Sequence, residues 1–550
     1  MTINKDLLMT MPIEIQYSIF GQLSLQERIQ LCHVCKLWQT AILNAPGTWK
    51  TLSLKIVEQK IEPNLQPYEA YIKRDNVKEI KIDGEICDTK VTDYLVSLKC
   101  NKLNDVYLKV GRLTRVNAFK LLDMCGPSLT RVILILDDYI YPTSTKQNAS
   151  PDFFLRHCRN LKQFTFVGYI KEPEQYNPSR LLTNVKHQHL TDLSLEISNM
   201  YNGPGTLDFF KATPKLERLG ISLLNVLPTA NESFPEQLLQ HCPELKTLHL
   251  LGEEDNKLEI RELHTITPIQ YEQRGIAELY FNDFLYVEDD EPGCTNRILR
   301  PFIPHIHNTV QVLSLGGVTD EYDDNLMQYL SNFDYPSLKH LILNWDVLTA
   351  EGENGLHRFF QIIAGNLTII EIKYYANFVD DVLLGLIATH AQHLECIEFT
   401  GGGAYTSKGL QQFLETMTHP QRTLRNLALD HVKQVDAHIL HMISTSKLCV
   451  INDLKLLIDV SKTFVEDIER FLDDMVEAGK RMNFLHLTLS SIVDPGDFVE
   501  SKRGKGFLKR LNTVASAFDL VVSSSFPHLN KEDEYTTIKI THDDYQSDNF

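Results

Sequence analysis

A six-residue pattern, Leu-x-x-Leu-x-Leu, returns along this chain at a nearly constant interval, and that regularity restricts the fold more than any other feature. All-leucine copies begin at Leu190, Leu245, Leu338 and Leu424, spaced 55, 93 and 86 residues apart. Chance supplies about one or two such copies at this leucine content, so four spaced at two, three and three units of roughly 28 to 31 residues mark a repeat. Other apolar residues at the leucine positions fill the gaps. Repeat starts then fall at Trp49, Val77, Leu103, Leu129, Leu161, Leu190, Leu216, Leu245, Ile276, Val310, Leu338, Leu367, Leu394, Leu424, Ile451 and Met482, with every interval between 26 and 34 residues. Within each copy the alternate apolar residues suit a short strand with one buried face. Between copies lie amphipathic stretches at helical spacing, such as Leu356 to Ile363, Val382 to His390 and Leu410 to Met417. A strand, a loop and a helix repeated in this way predict an α/β solenoid, curved, with parallel strands on its concave face and helices on its convex face.

The first fifty residues follow a different rule. From Met11 the chain reads as three short helices. Pro12 suits a first helical turn, and Ile15, Ile19, Phe20 and Leu23 share one helical face. Ser24-Leu25-Gln26-Glu27 is a capping-box pattern that starts a second helix, and Ile29, Leu31, Val34, Cys35 and Trp38 continue the apolar set, with Trp49 following. The run Met11-Pro12-x-Glu14-Ile15, Ile19-Phe20-x-x-Leu23, Val34-Cys35-Lys36-x-Trp38, then Trp49 and Leu52, resembles the F-box family over about forty residues. Met11 departs from the family's usual leucine, which an adaptable apolar side chain tolerates. Cys100, Cys158 and Cys242 each stand three residues before a repeat start, and residues 49 to 525 resemble the cysteine-containing leucine-rich repeats that often follow an F-box.

This resemblance implies a non-catalytic substrate-recognition subunit of a Skp-cullin-F-box ubiquitin ligase. Met11, Pro12, Ile15, Ile19, Phe20, Leu23, Val34, Cys35 and Trp38 would bind a Skp-family adaptor, which joins the chain to a cullin-RING core. The repeats would hold a protein substrate. A ligase-independent F-box scaffold and a small-molecule-sensing F-box receptor stand as alternatives.

A chain of 550 residues is too long for one ordinary core, as a repeat array requires. The expected organisation is an F-box over 1–50, a linker and first repeat strand over 51–76, a solenoid of 15 to 16 repeats over 77–530, and an acidic, mobile tail over 531–550. A last strand is expected around Phe518 to Val522. The net charge of −18 argues against nucleic acid, whose binding needs clustered Lys and Arg. No apolar run is long enough to span a bilayer, and ten scattered cysteines point to a reducing compartment, cytoplasmic or nuclear.

Strand residues between the inward leucines are the candidate substrate surface, among them Arg218, Thr247, His249, Glu278, Tyr280, His340, Asn344, Glu371, Lys373, Glu398 and Lys455. Acidic clusters follow several strands: Glu253-Glu254-Asp255, Glu288-Asp289-Asp290-Glu291, Asp320-Glu321 with Asp323-Asp324, and Asp346 with Glu351 and Glu353. Stacked in register, they would form one rim suited to a basic substrate segment. Cys32-His33-Val34-Cys35 is expected within a helix. Gly401 to Lys408 lacks the spacing of a phosphate loop, and His305 and His307 lack partners for a metal site. No catalytic residue, metal or cofactor is expected.

Overall fold

The computed structural model describes residues 11–45, 47–57, 60–75, 77–84, 89–98, 100–110, 115–140, 151–170, 186–198, 210–222, 234–251, 275–282, 299–316, 324–344, 350–373, 378–400, 403–417, 422, 424–430, 435–445, 453–459, 465–477, 484–490, 506, 509–510, 521–525 and 535–541. The chain divides into two compact units, Met1–Leu258 and Glu259–Phe550.

The first unit opens with three short helices, α1 (Ile13–Gln22), α2 (Leu25–Cys32) and α3 (Lys36–Asn44). Pro12 stands one residue before α1, as its N-cap, not inside its first turn; there its carbonyl accepts from the N–H groups of Ile15 and Gln16 at 3.0 and 3.1 Å. The capping box forms as its sequence requires. Ser24 N–H donates to Glu27 Oε2 at 2.7 Å, and Glu27 N–H donates to Ser24 Oγ at 3.3 Å. Cys32 ends α2 and Cys35 caps α3, so the Cys-x-x-Cys spans the turn between two helices rather than lying within one. Gly47, at φ 81°, turns the chain after α3 toward the sheet, a conformation that strains any residue with a Cβ.

Among the described residues nine strands follow in this unit: β1 (Thr51–Val57), β2 (Lys60–Glu62), β3 (Glu79–Gly84), β4 (Asp105–Val110), β5 (Arg131–Ile140), β6 (Gln163–Ile170), β7 (Asp192–Ser198), β8 (Arg218–Ser222) and β9 (Thr247–Leu251). β1 pairs in parallel with β3, and β3 to β9 continue in sequence order, all parallel. β2 is the exception: it folds back antiparallel on the other side of β1, and a three-residue strand leaves little edge for a second chain to pair with. Between strands come α4 (Glu69–Asp75), α5 (Thr89–Ser97), α6 (Arg115–Cys125), α7 (Pro151–His157) and α8 (Phe234–His241).

The second unit repeats the plan. Its parallel strands are β10 (Glu278–Asn282), β11 (Val312–Gly316), β12 (His340–Asn344), β13 (Ile369–Lys373), β14 (Cys396–Thr400), β15 (Asn426–Asp430), β16 (Asp453–Asp459) and β17 (Phe484–Ser490). The helices are α9 (Ile303–Ile306), α10 (Asp324–Leu330), α11 (Ala350–Ile363), α12 (Asp381–His390), α13 (Ser407–Met417), α14 (Ala437–Thr445) and α15 (Val465–Glu477). The array ends differently from its beginning. β19 (Tyr535–Thr541) lies between β17 and β18 (Val521–Ser525) and pairs antiparallel with each, so β18 runs in the same sense as the repeat strands. The expectation of a mobile tail is therefore corrected over Tyr535–Thr541: alternation through Thr536, Ile538 and Ile540 lets this segment close the ladder that β17 would otherwise leave open.

Each of the sixteen repeat strands begins two residues after its apolar start, from Trp49 and Thr51 to Met482 and Phe484. The fourteen starts from Trp49 to Leu424 are at most 2% exposed, so each repeat contributes one apolar residue before the strand and two or more within it. Register passes from repeat to repeat through shared carbonyls. The N–H groups of Lys78 and Glu79 both donate to Lys50 O, those of Asn104 and Asp105 to Lys78 O, and those of Thr130 and Arg131 to Asn104 O. The same step recurs in the second unit at Lys339 with His340 on Gln311 O and Thr368 with Ile369 on Lys339 O.

Candidate functional site

The N-terminal helices are fixed to the repeats by a few specific contacts, and these determine which face stays free. Arg28 is buried and its guanidinium donates to the carbonyl of Thr48, while Trp49 stacks on Tyr68 with ring centroids 5.2 Å apart. The Tyr68 hydroxyl and His33 Nε2 are 3.5 Å apart. Burial pushes the Cys32 thiol above its ordinary range and lowers the pKa of Arg28. These contacts turn the inner side of α2 to the first strands.

Five aliphatic side chains of these helices are open to solvent. Ile13 is 51% exposed, Ile15 49%, Ile19 36%, Val34 62% and Leu37 65%. Pro12 and Cys35 are exposed as well, and Met11, Leu23 and Trp38 are partly so. Phe20, expected on this surface, is instead fully buried and meets Trp38 edge to face at 6.5 Å. It holds the helices together from within. Ile13 and Leu37 are on the exposed surface but were not singled out from sequence, since matching a pattern identifies apolar residues without telling which side of a helix will be covered. Five aliphatic side chains left 36–65% exposed on one small helical body are apolar area of the kind that partners cover.

The strand surface in the second unit carries the other group of candidates. Glu371 on β13 is held from both sides: His340 Nε2, one strand over on β12, is 2.8 Å from Oε1, and Lys373 Nζ is 2.6 Å from Oε2. Burial raises the Glu371 carboxyl, but the His340 hydrogen bond and the Lys373 ammonium outweigh it and hold it at about 2. Glu371 is thus an anion near neutral pH, and the three side chains form one fixed polar cluster. Tyr280 is partly buried. Thr247, Glu278 and Glu398 are buried, so they line the strand surface without presenting a free side chain.

In the first unit Arg218 is exposed and paired with Asp192. His249, at the ladder position next to Gly220, is pushed down to about 4 by burial and by Arg218, and so is neutral at pH 7. The structure brings His340, Glu371 and Lys373 together, and places Arg218 and His249 in the other unit.

Of the expected acidic rim, Glu253, Glu254, Asp255, Glu288, Asp289, Asp290, Glu291, Asp320, Glu321, Asp323 and Asp346 lie outside the described residues, as does the side chain of Asp324, which opens α10. Glu351 and Glu353 fall within α11, so the last cluster is not a loop. His307 Nδ1 donates to Asp334 O at 2.9 Å and its ring packs on Phe333, a structural role. Among the described residues no group of three His, Cys, Asp or Glu side chains could hold a metal ion, and no helix is long and apolar enough to cross a membrane.

Comparison with known proteins agrees with this arrangement at its N-terminus. Residues 8–55 match the F-box-like family model. No curated protein sequence matches the chain. Among solved structures, one described as the Rad7 and Elc1 complex in yeast is similar at 15% identity, covering 82% of this chain and 89% of that one, with a TM-score of 0.39. The leucine-rich repeat-containing protein LegL7 from Legionella pneumophila is similar at 14% identity, covering 64% of this chain and 98% of that one, with a TM-score of 0.32. The chain has an F-box-like domain followed by α/β repeats of leucine-rich type.

Proposed function

We propose that this F-box and repeat chain is the substrate-binding subunit of a Skp-cullin-F-box ubiquitin ligase. The observation that carries the reading is the open aliphatic surface of Ile13, Ile15, Ile19, Val34 and Leu37 on the F-box-like domain. Apolar area of this kind is stabilised when a partner removes it from water, and F-box domains generally bind Skp-type adaptors. The adaptor would connect the chain to a cullin and its RING subunit, in the cytoplasm or the nucleus.

The strand surface, with its His340, Glu371 and Lys373 cluster, would contact a protein substrate. The chain needs no catalytic residue in this role. Holding a substrate lysine beside an activated ubiquitin thioester turns an encounter into an effectively intramolecular step. Affinity capture from cells tests the reading, with the intact chain set against Ile15→Asp/Val34→Asp. Adaptor and cullin are expected with the intact chain only, and a protein retained by both forms should accumulate when the chain is deleted. Capture of adaptor without any cullin, with no protein accumulating, would instead assign the chain to a scaffold outside the ligase.

A further inference from the structure

Ten large apolar side chains are exposed among the described residues, and five of them belong to the adaptor-facing surface. Ile362 and Val382 are two more, on α11 and α12. Val96, Val116 and Phe119 are the remaining three, on α5 and α6 of the first unit.

The comparison of α6 with α13 shows that the last group is unusual. Both helices bury the same phase: Asn117, Ala118, Leu121, Leu122 and Cys125 in α6, and Gly409, Leu410, Phe413, Leu414 and Met417 in α13. The matching outward positions are Lys408 and Gln411 in α13, but Val116 and Phe119 in α6, at 65% and 50% exposure. Water-facing helix positions in a soluble repeat are ordinarily polar. The patch extends onto α7, where Phe153 lies 6.4 Å from Phe119 and His157 lies 6.0 Å from Phe119 and 4.5 Å from Phe153.

The segments that carry this patch are basic where the whole protein is acidic. Residues 115–125 and 151–162 contain Arg115, Lys120, Arg156, Arg159 and Lys162 but only Asp123 and Asp152, a net of +3 within a chain of net −18. Lys120 stands one turn from Val116, and Arg156 one turn from Phe153, so positive side chains flank the aromatic surface. Lys120 pairs with Asp93 of α5 at 2.6 Å, an exposed pair that a stronger acidic ligand could exchange.

We propose that the outward face of α6 and α7 is a docking site for an apolar, acidic segment of a partner protein, sharing no residue with the adaptor-facing surface. Phe119 and Phe153 supply the area to be covered, and the basic flanks choose the sign of the partner's charge.

The test uses the full chain and two synthetic amphipathic peptides about five turns long, with the same Leu/Phe face and either Glu or Lys at every polar position, titrated by fluorescence anisotropy. The Glu peptide is expected to bind at least about tenfold more tightly than the Lys peptide and to weaken with salt. Val116→Ser/Phe119→Ser, both at outward positions, should cost about tenfold or more with the thermal midpoint unchanged, and Lys120→Glu/Arg156→Glu should reverse the preference. Three results would overturn the proposal: no binding of the Glu peptide, equal binding of the two peptides, or affinity unaffected by Val116→Ser/Phe119→Ser. A wild-type chain that sediments as a dimer while Val116→Ser/Phe119→Ser sediments as a monomer would overturn it too, by assigning the face to a second copy.

Discussion

Replacing a helical glycine by alanine ordinarily stabilises a protein by up to about 1 kcal/mol, yet at Gly409 the structure reverses the sign. A Cβ there would overlap the carboxylate of Asp381 on the preceding helix. Asp381 cannot turn away without loss, because its Oδ1 accepts from Thr406 N–H at 2.7 Å and its Oδ2 from Thr406 Oγ at 2.9 Å. Thr406 Oγ in turn accepts from Gly409 N–H at 3.0 Å, which makes the threonine the cap of α13. Two exposed hydrogen bonds to a carboxylate contribute about 1 kcal/mol each, so their loss of about 2 kcal/mol exceeds the propensity gain. Gly409→Ala should therefore cost about 1 kcal/mol, seen as roughly fivefold faster hydrogen exchange across α13. Gly385 in α12 supplies the control: nothing lies within 4 Å of a Cβ placed there, and Gly385→Ala should slow exchange. In an Asp381→Ala background the obstruction is gone, and Gly409→Ala should become stabilising. If Gly409→Ala slows exchange as much as Gly385→Ala with Asp381 intact, the reasoning is refuted.

Other parts of the structure give equally direct expectations. Ending the chain after residue 534 removes β19, which bonds β17 on one side and β18 on the other; amide exchange in β17 should accelerate and the exposed edge should promote self-association, whereas unchanged exchange would contradict the pairing. Phe20→Ala should destabilise the N-terminal helices by about 3–5 kcal/mol, since the ring is fully buried, and a variant with unaltered helix content and unfolding would show that Phe20 lies on the surface after all. Glu371 has a folded pKa depressed from 4.5 to about 2, so its contribution is complete above 4.5 and disappears as pH falls toward 2. Glu371→Gln should reduce stability at neutral pH by as much as about 3 kcal/mol, with the gap to wild type narrowing in acid; an identical gap at neutral pH and at about pH 3 would exclude the ion cluster as its cause.

The repeat strands were legible because a short strand with one buried face demands period-two alternation, and the apolar residue two positions earlier closes each coil; both requirements are local. β2 was not legible, since Ile61 alone cannot show an alternation. β19 was hidden by its surroundings. Thr536, Ile538 and Ile540 alternate well, but they sit in the polar run KEDEYTTIKITHDD, whose composition reads as a tail. The exposed aliphatic residues of the N-terminal helices were half legible: the family pattern includes Ile15, Ile19 and Val34, which are exposed, but Phe20 shows that apolar identity on a small amphipathic helix does not say inside from outside. The Asp381 to Thr406 cap joins residues 25 apart, and only the stacking of one repeat on the next makes them neighbours. Val116 and Phe119 were illegible for the converse reason. In a chain rich in apolar residues, a valine and a phenylalanine in a helix look like core until the buried phase is known.

The central claim, that the F-box-like domain offers an open aliphatic surface to a Skp-family adaptor, is tested most directly by calorimetric titration of the purified chain with such an adaptor. About half or more of Ile13, Ile15 and Val34 remains to be covered, which corresponds to about 1 kcal/mol each. Ile13→Ala/Ile15→Ala/Val34→Ala should thus bind about a hundredfold more weakly than wild type, with the same unfolding transition. Absence of binding by the wild-type chain, or equal affinity of the triple variant, would contradict the account.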